Sequence, residues 1–357
     1  MAKRILLIGG YGVVGAQVAA MLRRHHPDLR QLIAGRRLEA ASEVAARLGN
    51  AEPVRLDTHA SDPLEAVAGP IDAVIMLVHD HDDATLRSVV KRRVPYLDIT
   101  RGNSAQSRAY VATALLEAAS PILFASNWMA GVPAIIAMHQ AKSLAQVSSI
   151  ALSILFYGND KGGPDSEGAS DTLAEPFEAR IAGQWKKAAS MGDPVTVRFP
   201  SGLERQVYRM AMADMMTLAQ ATGAADVAVR LGLDDATTGR ITSFLVRTGL
   251  WTILQSERMA WLRKRLSHNP TAQGAPHEIV IEVTGQTADG APASLRATLL
   301  DPAGQSHLTA IGVVANLERL IGLGCNPLRP GTAVPETSPD GPRLLALLAA
   351  EGVQVSL

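Results

Sequence analysis

Through residue 126, short apolar runs alternate with stretches whose apolar positions recur at helical spacing. Ile5 to Ile8 is a continuous apolar run, as a strand buried on both faces of a parallel sheet requires. Val14, Val18, Met21 and Leu22 then recur three to four residues apart, so a helix follows at once. The pattern repeats, predicting strands over 31–34, 52–56, 72–78, 94–99 and 121–125. Helices are predicted between them over 38–48, 63–67, 84–92 and 110–118, with Asp82 or Asp83 capping the third. Strands alternating with helices predict a doubly wound α/β fold, with ligands bound beyond the carboxyl ends of its parallel strands. Those ends are residues 9–15, 35–37, 57–58, 78–83, 100–103 and 126–131.

Beyond residue 145 the pattern changes. Strands are predicted over 147–157, 195–199, 207–212, 278–284 and 294–300, and Asp289-Gly290 marks a hairpin turn between the last two. A helical tract over 237–266 carries Ile241, Leu245, Leu250, Leu254 and Trp261 on apolar positions. This is the pattern of a mainly antiparallel sheet with helices on one face. The loops 158–168 and 269–276 are polar and bear Gly or Pro; Asp160 and Lys161 in the former are placed to border a substrate. A helix over 306–323 and a helix-then-strand tail over 342–355 are expected to fold back on the first domain. The resulting division is a Rossmann domain over 1–130, an α+β substrate and dimerisation domain over 131–305, and a return over 306–357.

Composition narrows the class. At 357 residues two domains are the natural expectation. Thirty-four basic residues balance thirty-four acidic ones, so no bulk field favours nucleic acid or an anionic membrane. One cysteine, Cys325, permits no intrachain disulfide and fits a reducing compartment; it is expected to be buried and inert. With no signal-peptide pattern and no 18-residue apolar run, a cytoplasmic protein is expected.

The chemistry concentrates at the first strand end. Gly10, Gly12 and Gly15 form G-x-G-x-x-G between a strand and a helix. Gly10 is expected to permit the tight turn, Gly12 the approach of a pyrophosphate, and Gly15 close helix–strand packing. Tyr11, Val13 and Val14 complete a cradle in which the helix N-terminus meets the phosphates. An NAD site would place a carboxylate some 20 residues further on, but the second strand here ends in Arg36 and Arg37. A planar guanidinium suits a 2′-phosphate, so NADP(H) is favoured over NAD(H). Asp57 and Thr58 follow the third strand, where Asp57 reads equally as a contact at the adenine edge or as a helix cap. Val78 and Asn127, at the fourth and sixth strand ends, complete the expected cofactor set, with Trp128 either stacking or packing.

The segments Gly9-Gly-Tyr-Gly-Val-Val-Gly15, Ala34-Gly-Arg-Arg37, Tyr96-Leu-Asp-Ile-Thr100, Ala130-Gly-Val-Pro133 and Pro330-Gly-Thr-Ala-Val-Pro-Glu336 resemble the saccharopine dehydrogenase-like oxidoreductases. The resemblance covers the first 140 residues and the last 40 well, and the middle loosely. It implies a Rossmann domain with an inserted substrate domain, NADP(H), and hydride transfer at a C–N bond joining an amino acid or amine to a keto acid. One departure stands out. Where members often carry Gly-Pro-Phe after the fourth strand, this chain has Val78-His-Asp-His-Asp-Asp83, near the expected nicotinamide ribose. That points to a substrate other than saccharopine.

The same loop invites three readings: a metal site, an active-site loop or a helix-capping loop. Neighbouring residues seldom aim at one ion and no distant Cys/His set accompanies them, so no metal is expected. His79 or His81 is the candidate general acid, and Arg101 the candidate clamp for a substrate carboxylate. Asp98 reads as structural and the methionines of 210–216 as core filler. The expected protein is therefore an NADP(H)-dependent oxidoreductase acting on an imine or opine-like secondary amine, expected to be a homodimer with no nucleic-acid or membrane partner. The alternatives are an NADPH-dependent C=C or C=O reductase and a non-catalytic NADP(H)-binding redox sensor.

Overall fold

The computed structural model describes residues 2–160, 173, 175–254, 259 and 274–357. The chain divides into two compact units, one comprising residues 1–132 and 309–340 and the other 133–308 and 341–357.

The first unit holds a seven-stranded sheet. In chain order its strands are β1 (Arg4–Ile8), β2 (Arg30–Gly35), β3 (Ala51–Arg55), β4 (Ala73–Met76), β5 (Tyr96–Asp98) and β6 (Pro121–Phe124), joined late in the chain by β15 (Gly331–Ala333). All pairings are parallel, in the order β15-β6-β5-β4-β1-β2-β3. The 3-2-1-4-5-6 order is that of two mononucleotide-binding halves meeting at β1 and β4, as the alternating pattern predicted. Four apolar residues in succession, Ile5 to Ile8, are buried because both faces of β1 are covered. Leu6 and Ile8 pack with Leu32, Val74, Met76, Tyr96 and Phe124 in one cluster.

The connecting helices are α1 (Val13–His25), α2 (Leu38–Leu48), α3 (Ala84–Arg92) and α4 (Asn103–Leu115). A 3-10 turn, Pro63–Ala66, stands between β3 and β4. α4 starts seven residues before its apolar period does, because its first turns are polar; the buried Gln106 there donates to the Tyr110 hydroxyl at 2.6 Å.

The second unit carries a seven-stranded sheet of its own and a two-stranded one. The larger is built from β7 (Gln146–Phe156), β10 (Gly192–Arg198), β11 (Glu204–Arg209), β12 (Asp226–Leu233), β13 (His277–Gln286), β14 (Pro292–Asp301) and β16 (Gln354–Ser356). Its order is β10-β11-β12-β7-β13-β14-β16, antiparallel except for β12 beside β7. The small sheet pairs β8 (Phe177–Ile181) with β9 (Gln184–Ala188). β12 was not predicted from the sequence pattern; near its end stands Gly232. That glycine is needed: a Cβ there would lie 2.9 Å from Val207 and 3.0 Å from the Gln206 carbonyl.

Three expectations are corrected here. The tail from Gly341 belongs to the second unit rather than to the dinucleotide-binding domain, because Gln354 to Ser356 completes the ladder of β14. In the helical tract the described part forms helices Ala236–Arg247 and Leu250–Leu254, with Ile241 and Leu250 exposed. The first of these buries Gly239 and Ser243 instead, and Ser243 donates to the Met191 carbonyl at 2.8 Å. Trp261, Lys161 and most of the loop 269–276 lie outside the described residues. Of the methionine cluster, Met210 and Met215 are core, whereas Met216 is exposed on the helix Asp214–Thr222. Among the described residues no helix is long and apolar enough to cross a membrane.

Candidate functional site

The glycine turn leaves β1 at Ile8. Its left-handed residue is Gly9, with φ +87°, rather than Gly10. A Cβ on Gly9 would stand 2.6 Å from Val78 Cγ1 at the end of β4. Gly10 is needed for packing: its Cβ would come within 3.0 Å of the Leu7 side chain and carbonyl. Gly15 is the tightest, since a Cβ there would meet the Gly9 carbonyl at 2.2 Å. Gly12 differs from these. It caps α1, and a Cβ on it would have only the Gly9 carbonyl within 4 Å, at 3.2 Å. Space is thus left open over Gly12, at the helix end whose first-turn N–H groups have no partner within the helix. Val13 and Val14 begin that first turn. Open space, first-turn amides and a positive dipole end fit a pyrophosphate.

Tyr11 lies across the end of β2. Its ring fills the space over Gly35, where a Cβ would sit 2.5 Å away. Its hydroxyl accepts from the Arg37 backbone N–H at 3.2 Å, and the Arg37 guanidinium stands 5.2 Å from its ring centroid. Arg36 is exposed and makes no hydrogen bond or ion pair among the described residues. The turn, Tyr11 and both arginines are therefore neighbours, as the sequence implied. Asp57 is exposed, and Oδ1 accepts from the His59 N–H at 3.0 Å, closing a local turn. It caps no helix, because the 3-10 turn starts later, after Asp62. Thr58 beside it is half-buried.

The loop after β4 has a division of labour that spacing could not reveal. Asp80, not Asp82 or Asp83, caps α3: it is buried and accepts from the Thr85 and Leu86 N–H groups at 3.2 and 3.0 Å. Burial raises its carboxyl above the usual range, against the two amides and Arg101, which lower it. Asp83 occupies the N-cap position in a left-handed conformation, φ 54°, without capping. Half-buried Val78 accepts from the Thr100 hydroxyl through its carbonyl at 3.2 Å.

Arg101 is the main correction. Its side chain is almost wholly buried and wholly engaged by this chain's own carboxylates. Nε donates to Asp98 at 2.7 Å, Nη2 to Asp80 at 3.4 Å, and Nη1 to Asp83. Its guanidinium also lies 5.5 Å from the Phe124 ring centroid. A guanidinium so occupied is a latch between the ends of β4 and β5, not a clamp for a substrate. Asp98 is structural as expected, accepting further from the Tyr96 hydroxyl at 2.8 Å and the Thr100 N–H at 2.9 Å. Burial first, and then the Asp98 carboxylate beside it, hold the Tyr96 phenol well above its usual range.

The histidines of the same loop form a group with a third. His81 is exposed and stacks on His59 with centroids 5.8 Å apart and planes 8° from parallel; half-buried His79 lies 5.6 Å from His81. Sequence reading missed His59, which reaches the group from the loop after β3. Among the described residues no group of His, Cys, Asp and Glu is arranged to hold a metal ion. At the end of β6 Asn127 is buried and donates through Nδ2 to Glu336 Oε1 at 2.6 Å. Trp128 beside it is half-buried. In the second unit Asp160 accepts from the Gln305 N–H at 3.1 Å, fixing a helix start. Cys325 is half-buried rather than buried, its thiol donating to the Glu318 carbonyl at 3.4 Å.

A parallel sheet in this order, a glycine turn opening α1 and arginines closing β2 define a dinucleotide-binding domain of the Rossmann class. Residues 5–122 match the family described as saccharopine dehydrogenase NADP binding domain, and that domain of the chain belongs to it. The first unit thus carries an NADP-binding domain of that family, and the fold of the whole chain is similar to that of saccharopine dehydrogenase. No match was found among curated proteins. Among solved structures the chain is similar to apo saccharopine dehydrogenase (L-Glu forming) from Saccharomyces cerevisiae, with TM-score 0.68, 13% identity and 100% of both chains covered. It is also similar to an amine dehydrogenase from Mycobacterium smegmatis, with TM-score 0.47, 10% identity, and 93% of this chain and 94% of that one covered. At such identities the likeness is one of fold.

Proposed function

We propose that this protein is an NADP(H)-dependent oxidoreductase that moves a hydride at the carbon–nitrogen bond of an amino-acid or opine-like substrate. The observation that carries the cofactor choice is Arg36: an exposed guanidinium with no hydrogen-bond or ion-pair partner among the described residues, at the strand end where an NAD site would hold a carboxylate. The bound nicotinamide supplies the hydride chemistry. The chain's own residues supply the rest. Gly12 and the first turn of α1 hold the pyrophosphate, Arg36 the 2′-phosphate, and Tyr11 keeps Arg37 beside it through ring and hydroxyl. His79 or His81, on the loop leaving β4, holds the proton delivered to the substrate nitrogen. The C–N substrate class rests on the family resemblance. The loop Val78–Asp83 supports a substrate that departs from saccharopine.

The test is twofold. Isothermal titration with NADPH and NADH is expected to give at least a tenfold preference for NADPH. NADPH oxidation followed at 340 nm against keto acids paired with amino acids is expected to show turnover that needs both partners. Equal binding of the two nucleotides would overturn the cofactor assignment, and turnover with a carbonyl compound alone would overturn the C–N assignment.

A further inference from the structure

We propose that Glu336 is a positioning residue for the nicotinamide half of the cofactor, acting through Asn127 and the left-handed turn that follows it. The inference rests on reading this site as NADP(H)-binding and adds to it a device from the far end of the chain. β15 pairs in parallel with β6, Gly331 opposite Pro121 and Ala333 opposite Leu123. Because the pairing is parallel, the residues after β15 emerge at the carboxyl end of β6. There Pro335–Thr337 forms a 3-10 turn against Trp128–Gly131. Glu336 and Asn127, 209 positions apart, are both buried and share a 2.6 Å hydrogen bond.

The backbone beside this pair is held in a costly shape. Met129, Ala130 and Gly131 follow one another in the left-handed region, with φ 50°, 51° and 84°. Two of the three carry side chains, which that region disfavours. Such a run persists only where its surroundings over-determine it, and here they do. Asn316, buried in the helix Gln305–Ile321, donates through Nδ2 to the Ala130 carbonyl at 2.7 Å. On the same helix Gly312 has no side chain, and a Cβ there would stand 2.4 Å from the Met129 carbonyl. A Cβ on Gly131 would stand 2.7 Å from the Pro335 ring.

Burying the Glu336 carboxyl costs desolvation that its hydrogen bond to Asn127 offsets, and the left-handed run stores backbone strain. The pair and the run sit together at a carboxyl strand end, in the half of the sheet (β4 to β6) that takes the second mononucleotide of a dinucleotide. Their common effect is to fix where Asn127 and the turn stand relative to that mononucleotide. A role confined to fold support would affect the whole domain equally; a positioning role affects only the nicotinamide half.

The experiment separates the two by titrating the full-length protein with NADPH and with 2′,5′-ADP, a fragment that keeps the 2′-phosphate and lacks the nicotinamide. Glu336→Ala is expected to weaken NADPH about tenfold or more while 2′,5′-ADP stays within about twofold, and Glu336→Gln, which keeps an acceptor for Asn127, to recover most of the loss. Asn316→Ala, which releases the Ala130 carbonyl, is the second variant and is expected to show the same selectivity should Glu336→Ala not fold. Equal loss of both ligands, or loss of neither, would overturn the proposal. Failure of the unaltered protein to bind either ligand would instead overturn the cofactor reading on which it rests.

Discussion

Arg101 Nε donates to Asp98 Oδ2 across 2.7 Å, with neither side chain more than 2% exposed. Asp80 and Asp83 complete the coordination of the same guanidinium from the loop after β4. Removing one member of a buried ionic network leaves charge uncompensated, typically at a cost of about 3–5 kcal/mol. Arg101→Leu is therefore expected to lower stability by several kcal/mol in urea titration. A variant of unaltered stability whose KM for substrate rises would restore the carboxylate-clamp role.

The glycines of the first turn should separate by what a side chain would strike. Gly15→Val drives a Cβ into the Gly9 carbonyl, 2.2 Å away, and is expected to destabilise the domain. Gly12→Val has only one close neighbour, at 3.2 Å, so the protein is expected to fold and to lose cofactor binding. Circular dichroism and nucleotide titration of both variants check this. A folded Gly12→Val that binds NADPH normally would show that the pyrophosphate does not lie over this turn.

Arg36→Ala removes a charge-assisted contact worth roughly 1.5–3 kcal/mol, so NADPH binding should weaken about 10- to 150-fold. NADH lacks the 2′-phosphate and its affinity should barely move. Arg36→Asp is expected to go further and to favour NADH by offering the ribose an acceptor. Dissociation constants of both nucleotides decide it; equal losses for both after Arg36→Ala would return the residue to a surface role.

For the proton, His79→Ala and His81→Ala are to be compared in turnover. The one that holds the proton is expected to lose about 10²-fold. His59→Ala removes only the ring stacked on His81 and is expected to cost far less. Turnover within a few-fold of the parent for both His79→Ala and His81→Ala would remove histidine acid catalysis.

Two histidines of the second unit should give stability opposite pH slopes. Full burial pushes His277 down to about 3 from its ordinary 6.5. The unfolded chain takes up this proton as pH falls below about 6.5 and the folded chain does not, so stability is lost progressively from there towards about 3. His307 is raised, chiefly by its hydrogen bond to Asp301 at 2.9 Å, with Glu351 at 3.4 Å adding to it. Its contribution is complete below 6.5 and is lost as pH rises through its folded value. Urea denaturation across pH should therefore show an acid limb flattened in His277→Leu and an alkaline limb flattened in His307→Leu. Unchanged limbs in either variant would refute that histidine's part.

The alternation of apolar runs and amphipathic stretches sufficed for the first sheet, because a strand covered on both faces must be apolar throughout and a crossover helix must be apolar on one side. α2 and α3 begin and end where their periods do. The positions of the glycine turn and Arg36 were legible for a related reason: both lie at a strand end that the pattern itself locates. Short or interrupted elements were not. β15 has three residues and no period, and β12 contains a glycine that only its neighbour Val207 explains.

What the chain determines by itself is thus its local periods and the chemistry at the strand ends they define. What only the tertiary structure decided is pairing between distant segments. Asp80 rather than Asp83 caps α3, Arg101 is occupied by three carboxylates, His59 stacks on His81, and Glu336 meets Asn127 across 209 positions. Each depends on which loop lies beside which, and that is set by strand order. Periodicity constrains each element against its own neighbours in sequence, whereas hydrogen bonds and ion pairs act over about 3 Å in space, between residues whose proximity exists only once the sheet has formed.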